Sequence, residues 1–272
     1  MKKILSIIIP VYNRKSVTLA IESVCRIKRP EIELIIIDGK STDGTVECIK
    51  KYKNYIDVFI SEKDRGIYDA FNKGVKMSTG EWILILASDD ELLCDPVPII
   101  EKYNDNNTDL ICGSIIITDG NGKYLISQSD KDLKKLDYIC SLKHPATLFK
   151  RNVYERYGMY DISMKIAGDR DLFLRLERNG AHFKIIDDVI VLFSLEGVSS
   201  KNIIKNAYKE DILISDRYKI NKLKTRLFFI DRCLHVYGSK IKTLFGIKHK
   251  LEYLDKEHIN NELKAINANI QL

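Results

Sequence analysis

Residues 82–90 read WILILASDD, six apolar residues that stop abruptly at one serine and two aspartates. A continuous apolar run of this kind is what a strand buried on both faces requires. Three earlier stretches have the same build. ILSIIIPV (4–11) runs into Tyr12 and Asn13, ELIIID (33–38) into Gly39, and DVFIS (57–61) into Glu62. Helical patterns lie between them. Residues 14–28 space Val17, Ala20, Ile21, Val24 and Ile27 along one face. Ser41 or Thr42 can cap a helix running through Tyr52, with Asp43 favourable in its first turn. Residues 67–78 form a third helix, closed by Ser78-Thr79-Gly80. Alternating strands and helices with unbroken apolar strands predict right-handed crossovers and a parallel sheet covered on both faces. Such sheets bind ligands outside the carboxyl ends of their strands, and the polar residues gather at those four ends.

The second half reads differently. Residues 109–118 and 123–129 flank Asp119-Gly120-Asn121-Gly122, a hairpin signal. HPATLF (144–149), FKIID (183–187) and VIVLFSL (189–195) read as strands, and 167–180 as a helix with an acidic start and a glycine stop. From about residue 201 the pattern is helical and basic. Residues 201–250 carry 13 Lys or Arg against 4 Asp or Glu, so the net charge of +6 belongs to the tail and the body is slightly acidic.

Composition narrows the class. With 272 residues, 45% hydrophobic and 30% charged, the chain can bury a sizeable core. No apolar run of ~18 residues is present, so no transmembrane helix is expected. The start, MKKILSIIIPVYNR, reads as a buried first strand and not as a signal peptide. The six cysteines are scattered without CxxC spacing, which points away from zinc or a disulfide framework and suits a reducing cytosol. There is no GxxxxGKS/T and no GxGxxG, so a nucleotide here needs a cation to neutralise its diphosphate. Asp89 and Asp90 at a strand end are hard oxygen ligands for Mg²⁺ or Mn²⁺; the alternative is a turn leading into a helix. The polar loop 38–45 is either a ligand loop or a tight capped turn.

SIIIPVYNR (6–14), IDGKSTDGT (37–45), SEKDRGIYDAFNKGVKMSTGEWILILASDD (61–90) and AGDRDLFLRL (167–176), in that order, resemble the family 2 nucleotide-sugar glycosyltransferases of bacterial surface-polysaccharide type. The likeness runs from about Leu5 to Gly197. It implies an α/β GT-A fold: a mostly parallel central sheet with helices on both faces, a Rossmann-like nucleotide half and an acceptor half, followed by a helical tail. The implied division is a catalytic domain over 1–200, split into 1–90 for the nucleotide and 91–200 for the acceptor, and a basic helical extension over 201–272.

The resemblance also implies roles. Pro10, Tyr12 and Asn13 would border the nucleotide base, Asp38 would hydrogen-bond it, and Ser41 shares that loop. Asp69 and Asn72, three apart on one helix, would line the nucleotide pocket. Ser88-Asp89-Asp90 stands for the DxD motif, with Asp90 on the divalent cation (Mn²⁺ or Mg²⁺) and Asp89 on the donor ribose or sugar. Asp169 stands at the position of the catalytic base, with Gly168 where relatives carry Glu. Relatives also carry Arg where this chain has Phe71; Arg65 or Lys73 would have to substitute. His144 matches an acceptor-side histidine, with a structural histidine as the alternative. The implied activity is inverting transfer from a UDP-sugar, to a glycan or lipid-linked glycan, in cell-surface polysaccharide synthesis.

Two other classes compete. One is a non-catalytic nucleotide-sugar-binding module, against which Asp89, Asp90 and Asp169 stand. The other is a nucleic-acid binder, against which stand the carboxylates at the strand ends and the lack of a recognition motif. In the tail, Leu227, Ile230, Leu234, Tyr237, Ile241, Leu244 and Phe245 recur at three- or four-residue spacing among Arg226, Arg232, Lys240, Lys242 and Lys248. Residues 226–248 can therefore lie on an anionic membrane surface, or pack on the body or on a second copy in a homodimer. The expected location is the cytoplasm, at the inner face of the plasma membrane if the tail binds there.

Overall fold

The computed structural model describes residues 2–118, 122, 124–194, 203–231, 233 and 259–260. Its first half is the expected alternation: β1 (Leu5–Val11), α1 (Val17–Cys25), β2 (Ile32–Asp38), α2 (Thr45–Lys50), β3 (Val58–Ser61), α3 (Ile67–Met77) and β4 (Trp82–Ile85). There follow β5 (Glu91–Leu92), α4 (Pro96–Tyr103), β6 (Leu110–Thr118), β7 (Tyr124–Ser127), β8 (Thr147–Lys150), α5 (Asn152–Tyr157), α6 (Gly168–Arg178), β9 (Phe183–Ser194) and α7 (Ile203–Arg217). One mixed sheet runs in the order β3-β2-β1-β4-β8-β6-β9-β5, with β7 beside β6. β3, β2, β1 and β4 are mutually parallel, β8 runs against β4, and β6 runs against β8 and parallel to β9.

The side-chain period of two sorts the apolar strands onto two helical layers. Leu5, Ile7, Ile9 and Val11 of β1 pack with α1, while Ile8 points the other way, beside Tyr68, Phe71 and Val75 of α3. Each of these isoleucines is fully buried, worth roughly 1.5–3 kcal/mol of transfer free energy apiece. Gly74 lets α3 sit this close, since a Cβ there would lie 2.3 Å from Ile8 Cγ2. The amino-terminal rim of the sheet is closed by a buried Glu33. Its carboxylate accepts from Ser6 Oγ at 2.6 Å and from the Thr79 N–H and hydroxyl at 2.9 Å. The open polar rim is therefore the carboxyl one.

Several boundaries differ from the sequence reading. The second helix starts only at Thr45: Gly44 holds a left-handed φ of 96°, and Asp43, not Ser41 or Thr42, accepts the Thr45 N–H at 3.0 Å. His144–Ala146 form a single 3-10 turn, leaving β8 only Thr147–Lys150. The segments read as 183–187 and 189–195 belong to one strand as far as Ser194, and Leu195 lies outside the described residues. A register shift around Ser114 absorbs the polar Asp187-Asp188 pair, whose Asp188 accepts from the Tyr103 hydroxyl. The segments read as 109–118 and 123–129 pair antiparallel as β6 and β7, while Asp119, Gly120 and Asn121 of the turn between them lie outside the described residues. α7 packs on the same core as α3 and α6 through Ile214, with Ile220 following it. A further helical stretch covers 222–231. The tail residues Leu234, Tyr237, Ile241, Leu244 and Phe245, and most of 226–248, lie outside the described residues.

Candidate active site

The ends of β1, β2 and β3 are joined by a chain of hydrogen bonds. Asn13, in the left-handed region at φ 46°, donates its N–H to Ser41 Oγ at 2.8 Å and accepts the Thr42 N–H at 2.8 Å. Ser41 donates from both its N–H and its hydroxyl to Asp38, and Ser61 Oγ donates to the other oxygen of Asp38 at 2.5 Å. Asp38 is thus fully buried and anchors the rim from beneath, while Tyr12 stands 64% exposed above it. Gly39 permits this closeness, because a Cβ there would meet Asp64 Oδ2 at 2.9 Å and Tyr12 Cδ2 at 3.2 Å. Pro10 lies within buried β1, in register with Ile37. Asp38→Ala is expected to loosen this rim and weaken UDP binding by well over tenfold, read by calorimetry against the melting temperature. Equal UDP affinity in folded variant and parent would remove Asp38 from the donor site.

α3 opens on the same rim. Asp69 in its first turn accepts the Arg65 N–H at 3.0 Å and its guanidinium at 3.4 Å. Lys73 pairs with Asp64 at 2.6 Å and Glu62 at 2.9 Å, with Asp69 at 3.8 Å. Burial pushes the Asp64 carboxyl above its ordinary value, against the pull of Lys73. Both Arg65 and Lys73 are therefore already committed to carboxylates. The amide of Asn72 is buried and hydrogen-bonded to the backbone of Tyr160, donating at 2.9 Å and accepting at 3.0 Å, which ties α3 to the segment after α5.

After β4 the chain turns at Ser88. Asp89 is partly exposed, with Arg14 at 3.6 Å. Asp90 is fully buried: Oδ1 accepts the Ser194 N–H at 3.1 Å, and Oδ2 has no hydrogen-bond partner among the described residues. Burial pushes its carboxyl up to about 8, and the Asp89 charge adds to the rise. Among the described residues no three His, Cys, Asp or Glu side chains form a metal cluster by themselves. Magnesium-type cations, however, commonly take one or two carboxylates and leave the remaining positions to substrate phosphates and water. A buried carboxylate with an orphaned oxygen beside a second, outward carboxylate fits that donor set.

Asp169 stands partly exposed at the head of α6. Its Oδ1 accepts the Arg170 N–H at 2.7 Å, and its Oδ2 accepts from the Cys140 thiol at 3.4 Å. Burial, then the charge of Asp169, pushes the Cys140 thiol well up, so it remains a donor. The hydroxyl of Tyr68 donates to the Ile166 carbonyl at 2.7 Å and accepts the N–H groups of Gly168 at 2.9 Å and Asp169 at 3.4 Å. Its ring fills the space a side chain at 168 would need, since a Cβ on Gly168 would lie 2.7 Å from the Tyr68 ring. One turn of α3 thus carries Asp69 and, through Tyr68, fixes the backbone of Asp169. His144 is buried, stacked on Phe71 at 5.6 Å, with Nε2 2.7 Å from the Tyr160 hydroxyl, and burial lowers its pKa.

Sequence reasoning missed three of these residues. Tyr68 and Arg14 sat inside quoted motifs without a role. Cys140 carries no local signal, because its partner lies 29 positions away.

Residues 6–170 match the family described as Glycosyl transferase family 2. The chain is 27% identical over 223 residues to a PGL/p-HBAD biosynthesis glycosyltransferase of Mycobacterium bovis, covering 79% of this chain and 86% of that one. It is also 27% identical to the poly(ribitol-phosphate) beta-N-acetylglucosaminyltransferase TarP of Staphylococcus aureus, over 98% of this chain and 89% of the relative. Among solved structures, S. aureus TarS 1-349 in complex with UDP-GlcNAc superposes with a TM-score of 0.63 at 17% identity, covering 97% of this chain and 81% of that one. The mannosyltransferase PcManGT from Pyrobaculum calidifontis, in complex with GDP-Man and Mn²⁺, gives 0.55 at 17% identity, over 78% and 65% of the two chains. The matched segment spans the parallel rim, the Ser88-Asp89-Asp90 turn and the head of α6, and this chain belongs to glycosyl transferase family 2.

Proposed function

We propose that the chain is an inverting glycosyltransferase that moves a sugar, a hexose or N-acetylhexosamine, from a UDP-sugar to a glycan or lipid-linked glycan acceptor in cell-surface polymer synthesis. The observation that carries this reading is Asp169, a partly exposed carboxylate whose backbone is tied to the same turn of α3 that bears Asp69. The likeness to TarP, a poly(ribitol-phosphate) beta-N-acetylglucosaminyltransferase, and to TarS in complex with UDP-GlcNAc supports the donor class and the polymer acceptor. Inversion is a single displacement. The acceptor hydroxyl loses its proton to Asp169 as its oxygen attacks the anomeric carbon, and UDP departs with the bonding electrons. Asp90 would hold a divalent cation, Mn²⁺ or Mg²⁺, which would supply charge neutralisation for the leaving diphosphate, and Asp89 would contact the donor ribose or sugar. Tyr12, Asn13 and Ser41 at the strand ends would border the base, and Asp69 would line the nucleotide pocket. A panel of UDP-sugars assayed for UDP release, with and without Mn²⁺, tests the reading: one donor should stand out and require the metal. Release from none of them, with UDP still bound, would favour a binding module instead.

We also propose a membrane contact for the tail. No described helix is long and apolar enough to cross a bilayer. The stretch 222–231 nevertheless leaves Leu223 66%, Leu227 57% and Ile230 54% exposed beside Lys222, Lys224 and Arg226. Its other side is anchored to the body, with Phe228 stacked on Tyr138 at 4.7 Å and Thr225 buried. An apolar stripe flanked by cations suits an anionic interface, each cation contributing on the order of 1 kcal/mol. The protein is expected to float with anionic liposomes at low salt and to be released by raised salt. If it stays in the soluble fraction at low salt, the stripe is a packing surface, for this chain or a second copy.

A further inference from the structure

The family match ends at residue 170, yet the head of α6 is completed from outside it. Helices begin with N–H groups that have no partner within the helix. α6 has no side-chain cap of its own at Ala167. Glu210 of α7 supplies what is missing. Its buried carboxylate accepts three consecutive N–H groups, from Lys165 at 2.8 Å, Ile166 at 3.0 Å and Ala167 at 2.8 Å. The next two N–H groups, of Gly168 and Asp169, go to the Tyr68 hydroxyl. Every amide from 165 to 169 is thus held by a side chain from another helix, with α7 below and α3 above.

α7 is itself fixed against the same helix head. Arg170 pairs with Asp211 at 3.0 Å, both side chains buried. Arg217 bridges Asp171 at 2.6 Å and Asp161 at 2.7 Å, and the Tyr218 hydroxyl donates to Asp171 at 3.1 Å. A carboxylate that receives several backbone N–H groups is a strong, directional anchor. Here it lies two residues ahead of the group proposed to take the acceptor proton.

We infer that Glu210 is a positioning residue for glycosyl transfer, acting through the 165–169 backbone to hold Asp169 at its working angle. The inference rests on the reading of Asp169 as the base. Small displacements of a catalytic group are costly in rate even when the fold is kept. Glu210→Gln replaces one of the two accepting oxygens with an NH₂ facing N–H donors, so at least one of the three amide bonds and the charge of the anchor are lost while size is kept.

The test is a double-mutant cycle of Glu210→Gln with Asp169→Asn, using UDP-GlcNAc for turnover and UDP for affinity. Glu210→Gln alone should lower turnover by ~10-fold or more, with UDP affinity within about twofold of the parent. In the Asp169→Asn background it should cost nothing further, because the positioned group is already disabled. A merely structural carboxylate gives the opposite pattern: equal losses in both backgrounds and weaker UDP binding, and that pattern overturns the inference, as does parental turnover in the single variant. Parental turnover in Asp169→Asn alone would instead overturn the base assignment, and this inference with it. Amide hydrogen exchange needs no donor and is read in parallel: residues 165–169 should lose protection in Glu210→Gln, and unchanged protection refutes the anchor. If Glu210→Gln does not fold, Glu210→Asp, which keeps the charge but shortens its reach, is carried through the same cycle.

Discussion

Asp169→Asn is expected to lower transfer turnover by ~10²-fold or more, the scale of a lost general base, while UDP affinity stays near that of the parent. The substitution keeps the contacts that shape the helix head. The amide oxygen of the introduced side chain can still accept the Arg170 N–H, and the backbone N–H groups of positions 168 and 169 still reach the Tyr68 hydroxyl. What disappears is an oxygen able to carry the acceptor proton away. Neighbouring groups do not replace it easily. Burial holds the Cys140 thiol protonated, and His144 is enclosed between Phe71 and Tyr160. Steady-state UDP release, paired with calorimetric UDP titration, separates the two quantities. Turnover close to the parent's would mean that another group accepts the proton.

The second large effect concerns the cation. Asp90→Asn should abolish metal-dependent donor binding and reduce turnover by at least ~10²-fold, consistent with the several kcal/mol a bound metal supplies. The fold should survive. The introduced amide can still accept the Ser194 N–H through its oxygen, and its neutrality suits a site where burial pushes the acid up to about 8. Asp89→Asn removes the outward carboxylate and leaves Arg14 without its partner, so it should weaken the donor without changing this buried contact. Excess EDTA should reproduce the Asp90→Asn loss in the parent, and added Mn²⁺ should restore it. Full parental activity in EDTA would show that the two aspartates serve only the turn.

The parallel half was legible because β1, β2 and β4 are buried on both faces, and such strands have few alternatives to a continuous apolar run; β3, at the sheet edge, alternates half-buried with exposed residues. The rim was legible for the same reason: where ILSIIIPV, ELIIID, DVFIS and WILILA stop, the chain must emerge, and polar residues mark the place. Partners were not legible. Nothing local says that Asp38 is shared between Ser41 and Ser61, or that Asn72 spends its amide on Tyr160, 88 positions away. His144 was undecidable from its neighbours, since the aromatic group that encloses it comes from α3, α6, β8 and the segment around Tyr160. The basic tail read as an appendage because its charge dominates. Glu210, Asp211 and Arg217 look like ordinary surface residues of a charged helix until α6 is placed against them.

The two-sided hold on the 165–169 backbone has a consequence for how the protein is made. Chains leave the ribosome amino end first, and early segments fold before later ones exist. Every residue proposed for the nucleotide rim, from Pro10 to Asp90, precedes Asp169, and Glu210 comes later still. A nascent chain therefore exposes the proposed donor side before Asp169, the proposed base, is synthesised, and carries Asp169 for a further interval with only the Tyr68 side of its clamp in place. On this reading transfer competence arrives last. A message truncated between 180 and 203 would yield a chain with every motif of the family and an unsecured proton acceptor.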